Sequence, residues 1–241
     1  MIAASGFASR RRAELLISQG RVTVDGAVAT IGLKIDPESA IVAVDGLPLP
    51  VNPTTVHYLV YKPAGVVSTA SDPHGRKTVV DLVPTDPPVY PAGRLDAESE
   101  GLLVVTNDGA LTQLLTHPRH GVTKTYLAAV QGVPSSRSVR RLTAGVDLDD
   151  GPARAVSATL VDRRRDEALV EVVMAEGRKR EVRRMLEAVG HPVTRLVRTA
   201  IGPIRDRSLA PGSWRRLEVS ELRALYEAAG TTWQDAVDDD P

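Results

Sequence analysis

Apolar residues recur along this chain in two periods, and the switch between them divides it. Near the start Ala13, Leu16 and Ile17 fall at i, i+3 and i+4, with Ser9 placed to cap and Gly20 to stop the turn, which predicts a short helix. Arg21 to Val24 then alternates polar and apolar into Asp25-Gly26, and Ile41 to Val44 repeats the pattern before Asp45-Gly46. Both Asp-Gly pairs are two-residue hairpin signals, so the helix is followed by a small sheet. Leu47 to Pro53 carries three prolines in seven residues and cannot continue a helix. It reads as a semi-rigid linker, placed at 48–54 between a compact unit at 1–47 and a larger one at 55–230.

Beyond the linker short strands dominate, over His57 to Tyr61, Leu102 to Thr106, Thr125 to Val130, Leu169 to Met174 and Val193 to Thr199. Two helices are expected, one from about Ala110 to Leu115 and one carrying Val182, Met185, Leu186 and Val189 before Gly190. Strands with few helices between them predict an α+β fold with a mixed, largely antiparallel sheet flanked by helices and loops. The acidic end, 231–241, reads as a disordered tail.

Composition narrows the chemistry. With 241 residues, 42% hydrophobic and 25% charged, and no apolar run of membrane-spanning length, the chain reads as a soluble protein, and its start lacks the apolar stretch of a secretion signal. It contains no cysteine, so thiolate catalysis, cysteine-ligated zinc and a disulfide framework are excluded. A cytoplasmic location is expected. The net charge of zero conceals segregation: Glu176 to Arg216 holds eleven basic and four acidic residues, and Glu218 to Pro241 one basic and seven acidic.

Three segments carry candidate chemistry. In Pro91 to Gly109, Arg94 and Asp96 sit two apart, so an extended backbone turns both to one side, on a loop ahead of an apolar strand. Spacing alone leaves open an exposed Arg/Asp surface pair. In Met174 to Gly190 a strand passes through Gly177 into a helix whose first turn is crowded with cations, which opposes the helix dipole. A nucleic-acid backbone or a buried carboxylate would compensate it. Tyr126, in the strand Lys124 to Val130, is one of few aromatics, either half-buried core or a stacking surface for a base. His117 and His120 have metal spacing, but Pro118 breaks the helix between them and no third ligand follows, so no metal is expected. No phosphate-binding glycine loop, dinucleotide fingerprint or nucleophile elbow is present, and no cofactor is expected.

Five motifs stand in one order: Tyr61-Lys-Pro-Ala-Gly65; Gly93-Arg-Leu-Asp96 with Glu100-Gly-Leu-Leu103 and Thr106-Asn-Asp-Gly109; Lys124-Thr-Tyr126; Glu176-Gly-Arg-Lys-Arg-Glu-Val-Arg183-Arg-Met185; and Arg198-Thr-Ala-Ile-Gly-Pro203. In this the chain resembles the bacterial ribosomal-RNA pseudouridine synthases of the RsuA/RluB type. Ala8 to Gly26 is similar to the S4-type RNA-binding module that precedes the catalytic domain in that family, although here its first helix begins abruptly at Met1-Ile-Ala-Ala-Ser-Gly6. The resemblance implies an isomerase in which Asp96 is the catalytic aspartate, Tyr126 the tyrosine of the pocket and Arg183 the basic partner of the aspartate. It places Lys62, Arg178, Lys179, Arg180 and Arg184, together with Arg10, Arg11 and Arg12 of the S4-like helix, on RNA phosphates. Arg94 would fill the place of a flipped-out nucleotide or hold a phosphate. Ser68 to Val79 looks more like the large-subunit branch, which favours 23S over 16S rRNA as partner, with the protein a monomer. Two other readings stay open: a non-catalytic RNA-binding or ribosome-assembly protein on the same scaffold, and a glycoside or nucleoside hydrolase pairing Asp96 with Glu98 or Glu100.

Overall fold

The computed structural model describes residues 2, 10–35, 40–48 and 55–230; the expected Ser9 cap, most of the expected linker and the acidic end lie outside them. The first unit is the expected helix and sheet. Helix α1 (Arg10–Ser18) buries Ala13 and Leu16 against Val22, Val42 and Val44. Strands β1 (Val22–Val24), β2 (Ala27–Val28), β3 (Val42–Val44) and β4 (Leu47–Pro48) form an antiparallel sheet in the order β2-β1-β3-β4. Asp25 and Gly26 have φ of 50° and 79°, and Asp45 and Gly46 55° and 74°, the paired left-handed conformations of tight hairpins whose twist matches the strands. Leu47 and Pro48 therefore belong to the sheet and not to the linker: among the described strands β4 is the edge, where a proline is tolerated because its missing N–H is not called on.

The second unit is built on β5 (His57–Lys62), β6 (Tyr90–Pro91), β7 (Glu100–Thr106), β8 (Lys124–Gln131), the small hairpin β9 (Val146–Leu148) and β10 (Gly151–Ala153), β11 (Ser157–Arg163), β12 (Glu167–Met174), β13 (Val193–Ile201), β14 (Ile204–Arg205) and β15 (Trp214–Arg216). Its nine-stranded sheet runs β11-β12-β8-β13-β7-β5-β15, with β6 and β14 joining β7 and β13. Among the described strands of this sheet, β7 and β13 pair in parallel and the other pairs are antiparallel, so the expected mixed, largely antiparallel sheet is what forms. The parallel pair is very close. A Cβ on Gly101, at φ 110°, would lie 2.2 Å from the carbonyl oxygen of Arg198, so only glycine fits there.

Helices α2 (Gly109–Thr116), α3 (Ser136–Ala144), α4 (Glu181–Ala188) and α5 (Val219–Ala228) cover the sheet. On one face Tyr126, Ala128 and Val130 of β8 and Ala168, Val170, Val172 and Met174 of β12 are buried with Leu142 of α3 and Val182, Met185 and Leu186 of α4. Towards the other end Leu59, Leu102 and Val104 lie under α2 and α5, and the opposite sides of the same strands bury Tyr58, Val60, Leu103 and Val105 under the 66–89 segment. Each fully buried Leu or Val contributes roughly 1.5–3 kcal/mol, so this covered centre holds the loops at its rim in place. Among the described residues no helix is long and apolar enough to cross a membrane.

Candidate active site

Asp96 stands on the loop between β6 and β7, opening a turn that the Ser99 N–H closes on the Asp96 carbonyl at 2.9 Å. The loop is clamped on both sides of this residue. Before it, the Ser68 hydroxyl donates to the Leu95 carbonyl at 2.9 Å and accepts the Leu95 N–H at 3.1 Å. After it, the Gly65 N–H at 2.8 Å and the Lys62 ammonium at 3.2 Å both donate to the Ala97 carbonyl. Lys62 also donates to the carbonyls of Val66 at 2.7 Å and Pro63 at 3.0 Å.

Lys62 is thus not an RNA contact, as its motif implied. It is fully buried, with its three donors matched to three carbonyls, and burial pushes its pKa down to about 8.

The Asp96 side chain is half-buried and makes no ion pair among the described residues; Lys62 and Arg183 act on it through their fields. Arg183, implied as the basic partner of the aspartate, acts on it through its field, and its own contacts lie elsewhere. Its Nε lies 3.5 Å from Glu98 Oε1, Nη1 donates to the Val193 carbonyl at 3.3 Å, and Nη2 reaches the Ser99 hydroxyl at 3.5 Å. It is buried, and burial first, then Arg180, lowers its pKa while Asp96 opposes them. Its Nε meets Glu98 as an ion pair without a hydrogen bond.

A cavity of about 320 Å3 opens in front of Asp96. Arg94, Tyr126, Met174 and the 176–182 segment line it. Tyr126 is 9% exposed, and its hydroxyl makes no hydrogen bond to a described residue, so its ring is wall and its oxygen is available. Arg94 is exposed and also borders a second groove, of about 740 Å3, on the far side of Asp96. That groove is walled by the 67–76 loop, in which Asp72 accepts the Arg76 guanidinium at 2.7 and 3.1 Å and the N–H groups of Arg76 and His74.

The remaining wall is the turn into α4, and here protein carboxylates compensate the cations. Arg178 donates through Nε to Glu181 at 2.9 Å, through Nη1 to Asp150 at 3.1 Å, and through Nη2 to the Pro152 carbonyl at 2.7 Å. Arg184 forms a two-pronged pair with Asp150 at 2.8 and 2.9 Å, and Arg180, the left-handed N-cap at φ 52°, pairs with Glu98. Burial raises the Glu181 pKa, against its bonds from Arg178. Arg178 and Arg184 accordingly share the Asp150 carboxylate of the β9–β10 turn, and both stay partly exposed beside the cavity. Lys179 is exposed and makes no ion pair among the described residues. Arg11 and Arg12 are exposed on α1, and Arg10 opens that helix.

Sequence reasoning thus found Asp96, Tyr126, Arg94 and the 178–180 run, which converge on one cavity, and Arg183 beside them. It missed Ser68 and the pairing role of Glu98, because neither type nor spacing marks a residue whose only task is to hold a loop or a guanidinium.

Comparison with known proteins places this geometry. The RNA pseudouridylate synthase family matches residues 56–188 and the S4 domain residues 1–41. An uncharacterized RNA pseudouridine synthase of Mycobacterium tuberculosis is 44% identical over 95% of this chain and 92% of its own. Ribosomal large subunit pseudouridine synthase B of Bacillus subtilis is 41% identical over 94% and 95%. A crystal structure of a pseudouridylate synthase superimposes with a TM-score of 0.64 at 28% identity, covering 93% of this chain and 96% of that one. The chain belongs to the RNA pseudouridylate synthase family, in the RsuA/RluB group whose catalytic domain follows an S4 domain, and is an isomerase acting on RNA.

Proposed function

We propose that this protein converts a uridine of 23S ribosomal RNA, near the peptidyl-transferase centre, to pseudouridine, working as a cytoplasmic monomer without cofactor or metal. Residues 1–47 serve as the RNA-binding module and 55–230 as the catalytic domain. The observation that carries the reading is the single cavity shared by Asp96, with its free carboxylate, and Tyr126, with its free hydroxyl. The choice of large-subunit rRNA is supported by the likeness to the Bacillus subtilis enzyme and by the Ser68 to Val79 loop.

The chemistry breaks the bond from ribose C1′ to uracil N1 and makes one from C1′ to C5; N1 gains a proton and C5 loses one. Asp96 attacks C1′, or removes the C2′ proton to give a glycal, and either role needs an ionised carboxylate. Lys62 and Arg183 are the basic groups whose fields reach it. Tyr126 stacks on the detached uracil, and its hydroxyl relays the C5 proton, accepting it as it passes its own proton to water. A stacked uridine cannot reach this cavity, so it is flipped out at a cost of a few kcal/mol. Exposed Arg94, at the cavity mouth, fills the vacated stack or holds a phosphate. Lys179, Arg180 and the arginines of α1 hold the backbone.

Tritium release from C5-labelled uridine in 23S and 16S transcripts tests this assignment. Release from 23S alone is expected. Release from 16S alone would overturn the choice of subunit, and no release from either transcript or from immature large subunits would overturn the function.

A further inference from the structure

One strongly charged surface is left unused by this chemistry. On α3, Arg137, Arg140 and Arg141 fall at i, i+3 and i+4, so they share a face; all three are exposed. The helix, Ser-Arg-Ser-Val-Arg-Arg-Leu-Thr-Ala, has no acidic residue, and none of the three forms an ion pair with a described residue. This contrasts with Arg178, Arg180 and Arg184, each of which has a carboxylate. Like charges at that spacing disfavour a helix, so the stripe has no local benefit.

The strand beside it extends the stripe. Residues Ala158 and Leu160 of β11 pair with Val172 and Val170, on the sheet side that α3 covers. An irregularity at Val161 then brings Arg163, in place of Asp162, opposite Ala168, whose side chain lies in the same buried cluster as Leu142 of α3. Cross-strand partners project to the same side, so the bulge turns exposed Arg163 towards α3. Two hydrogen bonds fix the ends of the arrangement. The Gly132 N–H, just before α3, donates to the Asp166 carbonyl of the β11–β12 turn at 2.8 Å, and Arg154 Nε donates to the Thr143 carbonyl in the last turn of α3 at 2.8 Å. Five guanidiniums thus line a band along a nine-residue helix, roughly 14 Å long at 1.5 Å per residue.

We propose that this band, Arg163, Arg137, Arg140, Arg141 and Arg154, is a second RNA-binding surface that grips the phosphate backbone away from the flipped nucleotide. Leu142 of α3 and Tyr126 of the cavity lie in one buried cluster on one face of the sheet, so an RNA seated at the cavity has α3 on the same side of the protein. Charge without base-reading groups makes the band a positioning contact, insensitive to sequence. The proposal rests on RNA as the substrate and not on which rRNA is modified.

The test uses the full-length protein, a short fluorescein-labelled RNA duplex of unrelated sequence, and the 23S transcript. For R137Q/R140Q/R141Q the slope of log affinity against log salt becomes shallower by about two to three units, close to 0.9 for each phosphate no longer neutralised. The charge-preserving R137K/R140K/R141K keeps the wild-type slope, and tritium release at saturating RNA is unchanged in both. Unaltered slope and affinity in the Gln variant would overturn the proposal. So would equal losses in the Gln and Lys variants, which would point to packing instead of charge. If the wild type shows the band-dependent slope on both RNAs but releases tritium from neither rRNA, the substrate assignment fails and the band stands.

Discussion

The ammonium of Lys62 lies 3.2 Å from the carbonyl oxygen of Ala97, so a fully buried cation fixes the residue that follows Asp96. With Ser68 gripping Leu95 from the other side, Asp96 is held by the backbone of its two neighbours instead of by its own side chain. That leaves both carboxylate oxygens for chemistry.

Replacing Lys62 with Met fills the same space, leaves the carbonyls of Val66 and Pro63 without the ammonium, and leaves Ala97 held by the Gly65 N–H alone. The cost in stability is about 3 kcal/mol, read from urea unfolding. In the fraction that folds, the freed loop lowers kcat about a hundred-fold and changes KM for RNA little, because displacement of a reacting group by about 1 Å is that costly. A rise in KM with constant kcat would return Lys62 to the RNA surface.

The same lysine sets a pH dependence. Its pKa is pushed down to about 8 from the ordinary 10.5, because burial disfavours the charged form. Between those values the unfolded chain holds the proton and the folded chain has released it. The penalty is therefore fully present below about pH 8, and the lysine's contribution to stability grows as pH rises through the window. Urea unfolding from pH 7.5 to 10 should show wild-type stability gaining on the Lys62→Met variant; parallel curves would rule this out.

Much of this arrangement was legible beforehand, and the divisions have physical causes. The apolar runs of β5 and β7, buried on both faces, and the alternation in β12 mark the central strands, and α4 announces itself through Val182, Met185 and Leu186. Helix α3 was missed because its one fully buried apolar side chain, Leu142, cannot make a period. In α5, Leu222, Leu225 and Tyr226 do make one, but the acidic charge of that region masked it. At the site, Asp96 and Tyr126 were found through motif order. The misplacement of Lys62 has a plain cause: a basic residue in a motif looks the same whether its partner is a phosphate or a carbonyl. Burial decides, and burial of a charged residue is set by contacts distant in sequence, such as that of Lys62 with the Ala97 carbonyl.

Asp150 joins Arg178 and Arg184 across the wall of the cavity. In Asp150→Ala both guanidiniums lose their carboxylate on the β9–β10 turn, and the 176–180 wall loosens. Turnover is expected to fall about ten-fold, with RNA affinity unchanged or stronger because two cations are released to the surface. Weaker RNA binding at full turnover, measured by fluorescence anisotropy and tritium release, would contradict the wall assignment.

Tyr126→Phe separates the two tasks given to this residue. The ring keeps its place against the uracil, so RNA affinity stays within a few-fold. Loss of the hydroxyl slows proton removal from C5 by roughly a hundred-fold or more. Equal tritium release by both proteins would assign the proton to another group.

The most direct test is tritium release from C5-labelled 23S transcript by wild-type protein and by Asp96→Asn, alongside their RNA affinities. Asn has nearly the same shape, and the clamps on Leu95 and Ala97 do not involve the side chain. The expected result is release by the wild type alone, with turnover in the variant reduced at least about a thousand-fold and affinity within a few-fold. Comparable release by the variant would show that Asp96 is not the group that acts on the ribose.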